Sequence, residues 1–341
     1  MTTFRAAQVT SPGAELAIVD RTLADPGPGT VRVAVEACGV CHSDSLLVDD
    51  QWPGVQFPVT PGHEIAGRID ALGEGVEGWR PGERVAIGWS GGYCGQCRSC
   101  RQGEFMHCEV GMVTGATFPG GYADYVVAPA SALARIPDDL SAVDAAPLAC
   151  AGVTMFNSLR RTGAGPGDLV AILGIGGLGH LGVQFAVKMG FRTVAIARGR
   201  EKGDIAKQLG AHHYIDSTVS NVATELQNLG GARVIAATAA NAETLTAAVG
   251  GLGLHGELLT LAIVDTMQVS PTQLITIAGT VHGHAGGASN DLEDTLNFAA
   301  LQGIKPMVEV MPLEKAADGY QRMLANQARF RVVLTTKETS E

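Results

Sequence analysis

Positive charge is in short supply in this 341-residue chain: 24 Lys and Arg stand against 34 Asp and Glu, a formal net charge of −10. Such a surface repels phosphate, which argues against nucleic acid or an anionic membrane as a partner, although a local basic pocket for a cofactor is still allowed. No uninterrupted apolar run reaches the ~18–20 residues of a membrane-spanning helix. The start, MTTFRAAQVTSPG, lacks a charged segment followed by an apolar one, so no secretory leader is expected and cytoplasmic residence follows. Repeats and low-complexity tracts are also missing. With 46% apolar and 17% charged residues the composition is neither disordered nor fibrous, and the length suits two ordinary domains.

What the chain does have is glycine, 45 residues of it, and seven cysteines. Glycine serves tight turns and close backbone approaches. In a reducing compartment, thiols are better explained by metal binding or reactivity than by disulfides.

Residues 1–152 read as mostly β. Val31 to Val35 and Ala123 to Ala128 alternate like strands, and turn signals such as Pro26-Gly27-Pro28-Gly29 and Pro81-Gly82 punctuate this part. From 153 onward, apolar strands (Leu169 to Leu173, Thr193 to Ala197, Val234 to Ala237, Glu257 to Ile263) alternate with helices (Leu178 to Met189, Lys202 to Leu209), which predicts a parallel sheet. Past 290, helices over Asp291 to Leu301 and Leu313 to Asn326 precede a strand at Phe330 to Leu334. The expected architecture is an α/β dinucleotide-binding domain at 153–289 inserted into a β-rich domain made of 1–152 and 290–341.

Gly174-Ile175-Gly176-Gly177-Leu178-Gly179 fits G-x-G-x-x-G, and it both follows a predicted strand and opens a predicted helix. In that context the glycines permit a tight turn and bring backbone N–H groups to a pyrophosphate at the helix N-terminus. An acidic residue is expected about 20 residues on, to bind the ribose 2′-hydroxyl. Instead the next strand ends at Ala197, and Arg198, Arg200 and Lys202 follow. Cations at that place accept a 2′-phosphate, so NADP is preferred; nearby Glu201 keeps NAD as the alternative.

Cys94, Cys97, Cys100 and Cys108 lie within fifteen residues. Four thiolates so close can wrap one tetrahedral zinc with no position left over, which marks a structural site. A second set is dispersed: Cys41 in Cys-Gly-Val-Cys-His-Ser-Asp, His63 in Gly-His-Glu-Ile-Ala-Gly, and Cys150 in Leu-Ala-Cys-Ala-Gly-Val-Thr. Two thiolates and an imidazole suit an open catalytic zinc, but spacing alone does not assemble them, and a lone Cys or His is more often a core residue. Cys38 reads as a buried thiol, and His282 and His284 as structural or surface groups alternating on one strand face.

Together, and in this order, the motifs resemble the zinc-containing medium-chain alcohol dehydrogenases over about residues 4 to 335. His63 lies in G-H-E-x2-G-x5-G-x2-V, running from Gly62 through Gly67 and Gly73 to Val76, which is similar to that family's zinc signature. The resemblance implies a Rossmann doubly wound parallel sheet beside a GroES-like catalytic domain, two Zn2+ per chain, a homodimer or homotetramer, and hydride transfer between a small alcohol or aldehyde and a nicotinamide cofactor. It implies a catalytic zinc on Cys41, His63 and Cys150, with Glu64 as a transient ligand or nearby carboxylate. Asp44 would orient His63, and Ser43 would pass on the alcohol's proton. His42 and Arg331 would lie near the cofactor phosphates, Thr154 beside the nicotinamide, and Ile263 along the cofactor site. Trp52 and Trp89 would line the substrate cleft, unless they serve ordinary packing. One departure stands out: Leu46 occupies the place where many members carry a histidine that ends a proton relay. The rival expectations are a polyol dehydrogenase, a zinc-free quinone or enone reductase on the same fold, and a non-catalytic NADP-binding thiol sensor.

Overall fold

The structure, a computed structural model, describes residues 2–284 and 286–336. The chain divides into two units, Met1–Val153 with Gly286–Glu341, and Thr154–Ala285. The second unit therefore ends four residues before the 289 expected from the sequence pattern.

Six strands form the sheet of the second unit: β1 (Leu169–Leu173), β2 (Arg192–Ala197), β3 (His213–Asp216), β4 (Ala232–Ala237), β5 (Leu252–Thr260) and β6 (Thr280–Gly283). They are all parallel, in the spatial order 3-2-1-4-5-6. Every residue of β1, Leu-Val-Ala-Ile-Leu, is buried. That is why it reads as a continuous apolar run: a parallel strand covered on both faces has no polar side. Leu169, Ile196, Ile235 and Leu258 contribute to the core of this unit. In this strand order, ligands bind beyond the carboxyl ends of the strands, where the order reverses between β1 and β4.

Two expectations are corrected here. The strand expected at Glu257 to Ile263 starts earlier and stops at Thr260, because Gly253 and Gly256 break the apolar pattern of its first half. Ile263 consequently lies in the following loop, 78% exposed. His282 lies on β6, which ends at Gly283, so His284 falls just past the strand and not on a shared face with it.

The larger unit is built on a seven-stranded sheet drawn from both ends of the chain. Thr30–Val40 is its spine, pairing antiparallel with Glu64–Leu72, Tyr125–Pro129 and Arg331–Thr335. Arg84–Ile87 and Leu133–Arg135 extend one side, and Val308–Pro312 pairs parallel with Arg331–Thr335 on the other. Alternation along Thr30–Val40 buries Val31, Val33 and Val35 on one face, against Ile65, Val85 and Val332 among others. The helix expected at Leu313 to Asn326 is shorter: after the strand ending at Pro312, one 3₁₀ turn, Leu313–Lys315, leads into an α-helix over Ala316–Leu324.

The helical stretch Ala142–Arg160 is the one element among the described residues long and apolar enough to cross a membrane; 78% of its apolar window is buried within the fold, as a core helix is. Within it, Leu148–Gly152 forms a π-helical turn that carries Cys150. Such bulges recur at functional sites because they re-aim a side chain without ending the helix.

Candidate functional site

Strand register brings the dispersed motifs together. Glu64 pairs with Gly39 across two neighbouring strands, so Cys41, just past the end of one, lies beside His63, just before the start of the other. Val332 pairs with Val40 on the opposite side, which brings Arg331 to the same end of the sheet. Cys150 arrives from the π turn. The donor atoms of Cys41, His63, Glu64 and Cys150 all lie within 4.8 Å of one another, and the two sulfurs are 3.9 Å apart. Cys41, His63 and Glu64 are buried.

Asp44 fixes this arrangement. Its carboxylate, 0% exposed, accepts hydrogen bonds from Cys41 N–H at 3.0 Å, Gly62 N–H at 3.1 Å and the Tyr122 hydroxyl at 2.8 Å, and it lies 2.8 Å from His63 Nδ1. With Nδ1 donating to Asp44, the imidazole presents the Nε2 lone pair into the cluster. Gly62 makes this possible: its φ of +103° suits glycine, and a Cβ there would strike the Tyr122 ring. Asp44 opens the short helix Asp44–Val48, which follows a tight turn in which Asp44 N–H bonds Cys41 O and Ser45 N–H bonds His42 O. Ser43 caps this helix without using its hydroxyl for the cap. His42 is exposed.

The chemistry of the set fits a dication. His63 Nε2 and Glu64 Oε2 are buried and make no hydrogen bond, a costly arrangement unless an electrophile takes their lone pairs. A hydrogen bond from Cys150 pulls the Cys41 thiol well below its ordinary range and pushes Cys150 well above. Burial raises the Glu64 carboxyl to about 8, against the opposing pull of Arg331. Burial opposes a charged His63, but Asp44 and the Cys41 thiolate raise it well above its ordinary range, so a dication bound at Nε2 would take the place of a proton there.

Arg331, expected from the resemblance near the cofactor phosphates, is 5% exposed and ion-paired to Glu64, with its Nε unpartnered. Trp52 and Trp89 are half-buried and meet edge to face at 5.0 Å; Trp89 meets the His63 ring edge to face at 4.9 Å. Trp89 therefore lies at the cluster, and Trp52 packs against Trp89. Cys38 is buried, as expected of a thiol that is not a ligand.

The four-cysteine loop is built differently. Its sulfurs also lie within 4.8 Å of one another, but Cys94 is exposed and Cys97 and Cys108 are half-exposed. Backbone amides aim at the sulfurs: Gln96 and Cys97 N–H at Cys94 Sγ, Cys100 N–H at Cys97 Sγ, and Cys94 N–H at Cys108 Sγ, at 3.3–3.5 Å. The amides of Cys100 and Glu109 draw the Cys97 thiol down to about 6, whereas desolvation holds Cys100 up to about 12. Thiolates cradled by amides suit a tetrahedral metal.

In the second unit the glycine turn lies at the carboxyl end of β1. Gly174 has φ +102°, and a Cβ on Gly179 would strike Gly174 O, whereas Gly176 faces open space. This is the division of labour that a pyrophosphate loop requires: one tight turn, one close packing, one open approach. Leu178 and Gly177 are partly exposed, and helix Gly179–Lys188 follows. Thr238, at the end of β4, bonds Leu173 O and Gly174 O at 3.1 Å. After β2, Arg198 and Arg200 are exposed, and Lys202 donates to Ile175 O at 3.2 Å. Their loop is held from β3: Asp216 accepts Gly199 N–H at 3.0 Å, and the Tyr214 hydroxyl bonds Gly199 O at 2.5 Å. Thr154 is buried at the start of this unit.

Residues 27–138 match the alcohol dehydrogenase GroES-like domain, and residues 177–300 match the zinc-binding dehydrogenase domain. The alcohol dehydrogenase notN of Aspergillus sp. (strain MF297-2) is 41% identical over 335 residues, 98% of each chain. The chain belongs to the zinc-containing medium-chain alcohol dehydrogenase family. A cobalt- and zinc-bound thermostable alcohol dehydrogenase from Pyrobaculum aerophilum superposes with a TM-score of 0.88 at 27% identity, over 98% of this chain and 100% of that one. Acetophenone reductase from Geotrichum candidum, solved in complex with NAD, gives 0.85 at 26% identity, over 98% and 97%. Membership fixes the reaction class: a zinc-type dehydrogenase that interconverts small alcohols and their carbonyl compounds.

Sequence reasoning missed Tyr122, Thr238, Tyr214 and Asp216. The pair Gly120-Gly121 ahead of Tyr122 was the one available signal, since paired glycines mark a close approach of backbone to a neighbour.

Proposed function

We propose that this dehydrogenase carries its catalytic zinc on Cys41, His63 and Cys150, a structural zinc on Cys94, Cys97, Cys100 and Cys108, and prefers NADP. The observation that carries the catalytic site is the convergence of two sulfurs on a buried, unpartnered imidazole nitrogen. Three protein ligands leave a fourth position for substrate. When bound, zinc supplies Lewis acidity that lowers the pKa of a substrate hydroxyl, and the nicotinamide supplies the hydride acceptor. Asp44 holds His63 in the Nδ1–H tautomer, so that Nε2 stays a ligand throughout. Ser43, with its hydroxyl free of capping duty, takes the substrate proton onto Oγ and hands it on; with Leu46 in place of a histidine, that proton leaves by the cofactor ribose or by water. Glu64, neutralised by Arg331, is a reserve carboxylate beside the metal. Trp52 and Trp89 wall the substrate with apolar surface, which favours apolar alcohols and aldehydes over polyols.

The NADP preference rests on Arg198 and Arg200, exposed at the end of β2 where an acidic residue would serve NAD. A second reading, NAD, is favoured by Glu201, whose carboxylate lies against Gly199. Ile263, in the loop after β5, and the first turn of helix Gly179–Lys188 complete the cofactor surface. Seven free thiols accord with a reducing, cytoplasmic setting, and a homodimer or homotetramer accords with the family. The test is metal content per chain, with initial rates on an alcohol and aldehyde panel using NAD and NADP in parallel. About two zincs and faster turnover with NADP is the expected result. An active enzyme free of tightly bound zinc would refute the mechanism, and faster turnover with NAD would refute only the cofactor preference.

A further inference from the structure

The phenol of Tyr122 is buried against the carboxylate that holds His63. Its side chain is 0% exposed, and its hydroxyl lies 2.8 Å from Asp44 Oδ2, the carboxylate that meets His63 through Oδ1. A carboxylate has about four lone-pair directions. At Asp44, Oδ1 takes His63 and Gly62 N–H, while Oδ2 takes Cys41 N–H and the phenol, so every direction is used. Three of these donors lie on the motifs that carry metal ligands. Only the phenol comes from a separate part of the chain, the stretch Gly120-Gly121-Tyr122.

We propose that Tyr122 is a positioning residue for the catalytic zinc: its hydroxyl orients the Asp44 carboxylate, and through Asp44 it aims His63 Nε2. This rests on the zinc reading given above. Two further contacts support it. Tyr122 N–H bonds Pro61 O at 3.1 Å, and the ring packs on Gly62, so the tyrosine braces the residues leading into His63 from both backbone and side chain. Burial also holds the phenol pKa well above its ordinary value, so the group stays a donor toward the carboxylate. Without the hydroxyl, Oδ2 keeps one partner and the carboxylate can rotate, taking the imidazole with it. Groups that orient a metal's ligands typically alter affinity or activity 10–100-fold, and a group acting one bond further out falls at the lower end, about tenfold.

The test is Tyr122→Phe in the full-length protein, which removes one oxygen and keeps the ring that packs on Gly62. Zinc release to a chromophoric chelator is followed in wild type and variant, along with the visible spectrum of the cobalt-substituted protein. The expected result is about tenfold faster release from the catalytic site, unchanged release from the four-cysteine loop, and a shifted catalytic-site cobalt spectrum. Wild-type release rates and spectrum in Tyr122→Phe would overturn the proposal. If that variant does not fold, 3-fluorotyrosine installed at position 122 keeps the shape and makes the phenol a stronger donor. Catalytic-site release should then slow, and an unchanged rate would overturn the role. A wild type that holds metal only at Cys94, Cys97, Cys100 and Cys108 would overturn the zinc reading together with this role, a result distinct from two metals with an indifferent Tyr122.

Discussion

The two cysteine-bearing sites use the same atoms in opposite ways. The four-cysteine loop draws its donors from fifteen consecutive residues, buries only Cys100 of the four, and steadies its sulfurs with amides of the same short segment. The other set draws Cys41, His63 and Cys150 from positions spread over more than a hundred residues, buries Cys41 and His63 with Cys150 half-buried, and ties Cys41 and His63 to Asp44. A local site needs only a loop and a metal. A dispersed site needs strand register, a π turn and a buried carboxylate already in place. On the proposed function, the first kind would hold a loop and the second would hold a substrate away from water.

The contrast can be broken most sharply at Cys41. Cys41→Ser should lower kcat by about a thousandfold or more, the loss of several kcal/mol of Lewis-acid stabilisation, and remove one metal per chain. Cofactor binding, followed by fluorescence, should be unchanged. A fully active Cys41→Ser protein holding both metals would erase the distinction between the two sites.

Cys97→Ser probes the other side. It should also remove one metal, but its main effect should be on stability: a fall in Tm of about 5–10 °C by calorimetry, a few kcal/mol for a protein of this size. Turnover per folded chain should change far less than in Cys41→Ser. If Cys97→Ser abolished turnover with an unchanged Tm, the assignment of a structural role would fail.

The cofactor loop offers a milder test. Replacing Arg198 and Arg200 together by Ser should raise KM for NADP about 10–100-fold while leaving KM for NAD nearly unchanged, because only the 2′-phosphate loses charge-assisted hydrogen bonds. Equal effects on both cofactors would assign the two arginines to plain surface charge.

The smallest effect is expected at Asp216. The hydroxyl and amide of Thr218 and the amide of Gly199 hold its carboxyl below the ordinary 3.8. A carboxyl depressed in the folded state adds stability above its unfolded value, and that stability fades as pH falls through the folded one. Asp216→Asn should therefore lower the urea midpoint slightly at pH 7, with the gap from wild type closing as pH drops below about 3.8. A gap that stays constant with pH would show that the carboxylate charge is not what holds the Gly199 loop.

The same contrast between local and dispersed explains what could be read from the sequence. The glycine turn, β1 and the four-cysteine loop are short segments whose spacing is their geometry, and they were legible directly. Cys41, His63 and Cys150 were legible only through resemblance to a family, because nothing in their spacing encodes a pairing of Gly39 with Glu64. Tyr122 had only the Gly120-Gly121 pair to mark it: its partner lies 78 positions away, and an aromatic at that place reads as core. Arg331 was placed near the cofactor phosphates by resemblance alone, and its ion pair with Glu64 has no local sign in the sequence. β5 was shortened and displaced because Gly253 and Gly256 interrupt its apolar run.

The register that joins strand Thr30–Val40 to Glu64–Leu72 and to Arg331–Thr335 also sets an order of events for a growing chain. A ribosome finishes the four-cysteine loop at Cys108, the last thiol of the dispersed cluster at Cys150, and the counter-ion of Glu64 only at Arg331. The loop can be sealed on a half-made polypeptide. The dispersed cluster waits for Arg331, so a product stopped before that residue would keep the four-cysteine loop and lack the ion pair beside Cys41 and His63.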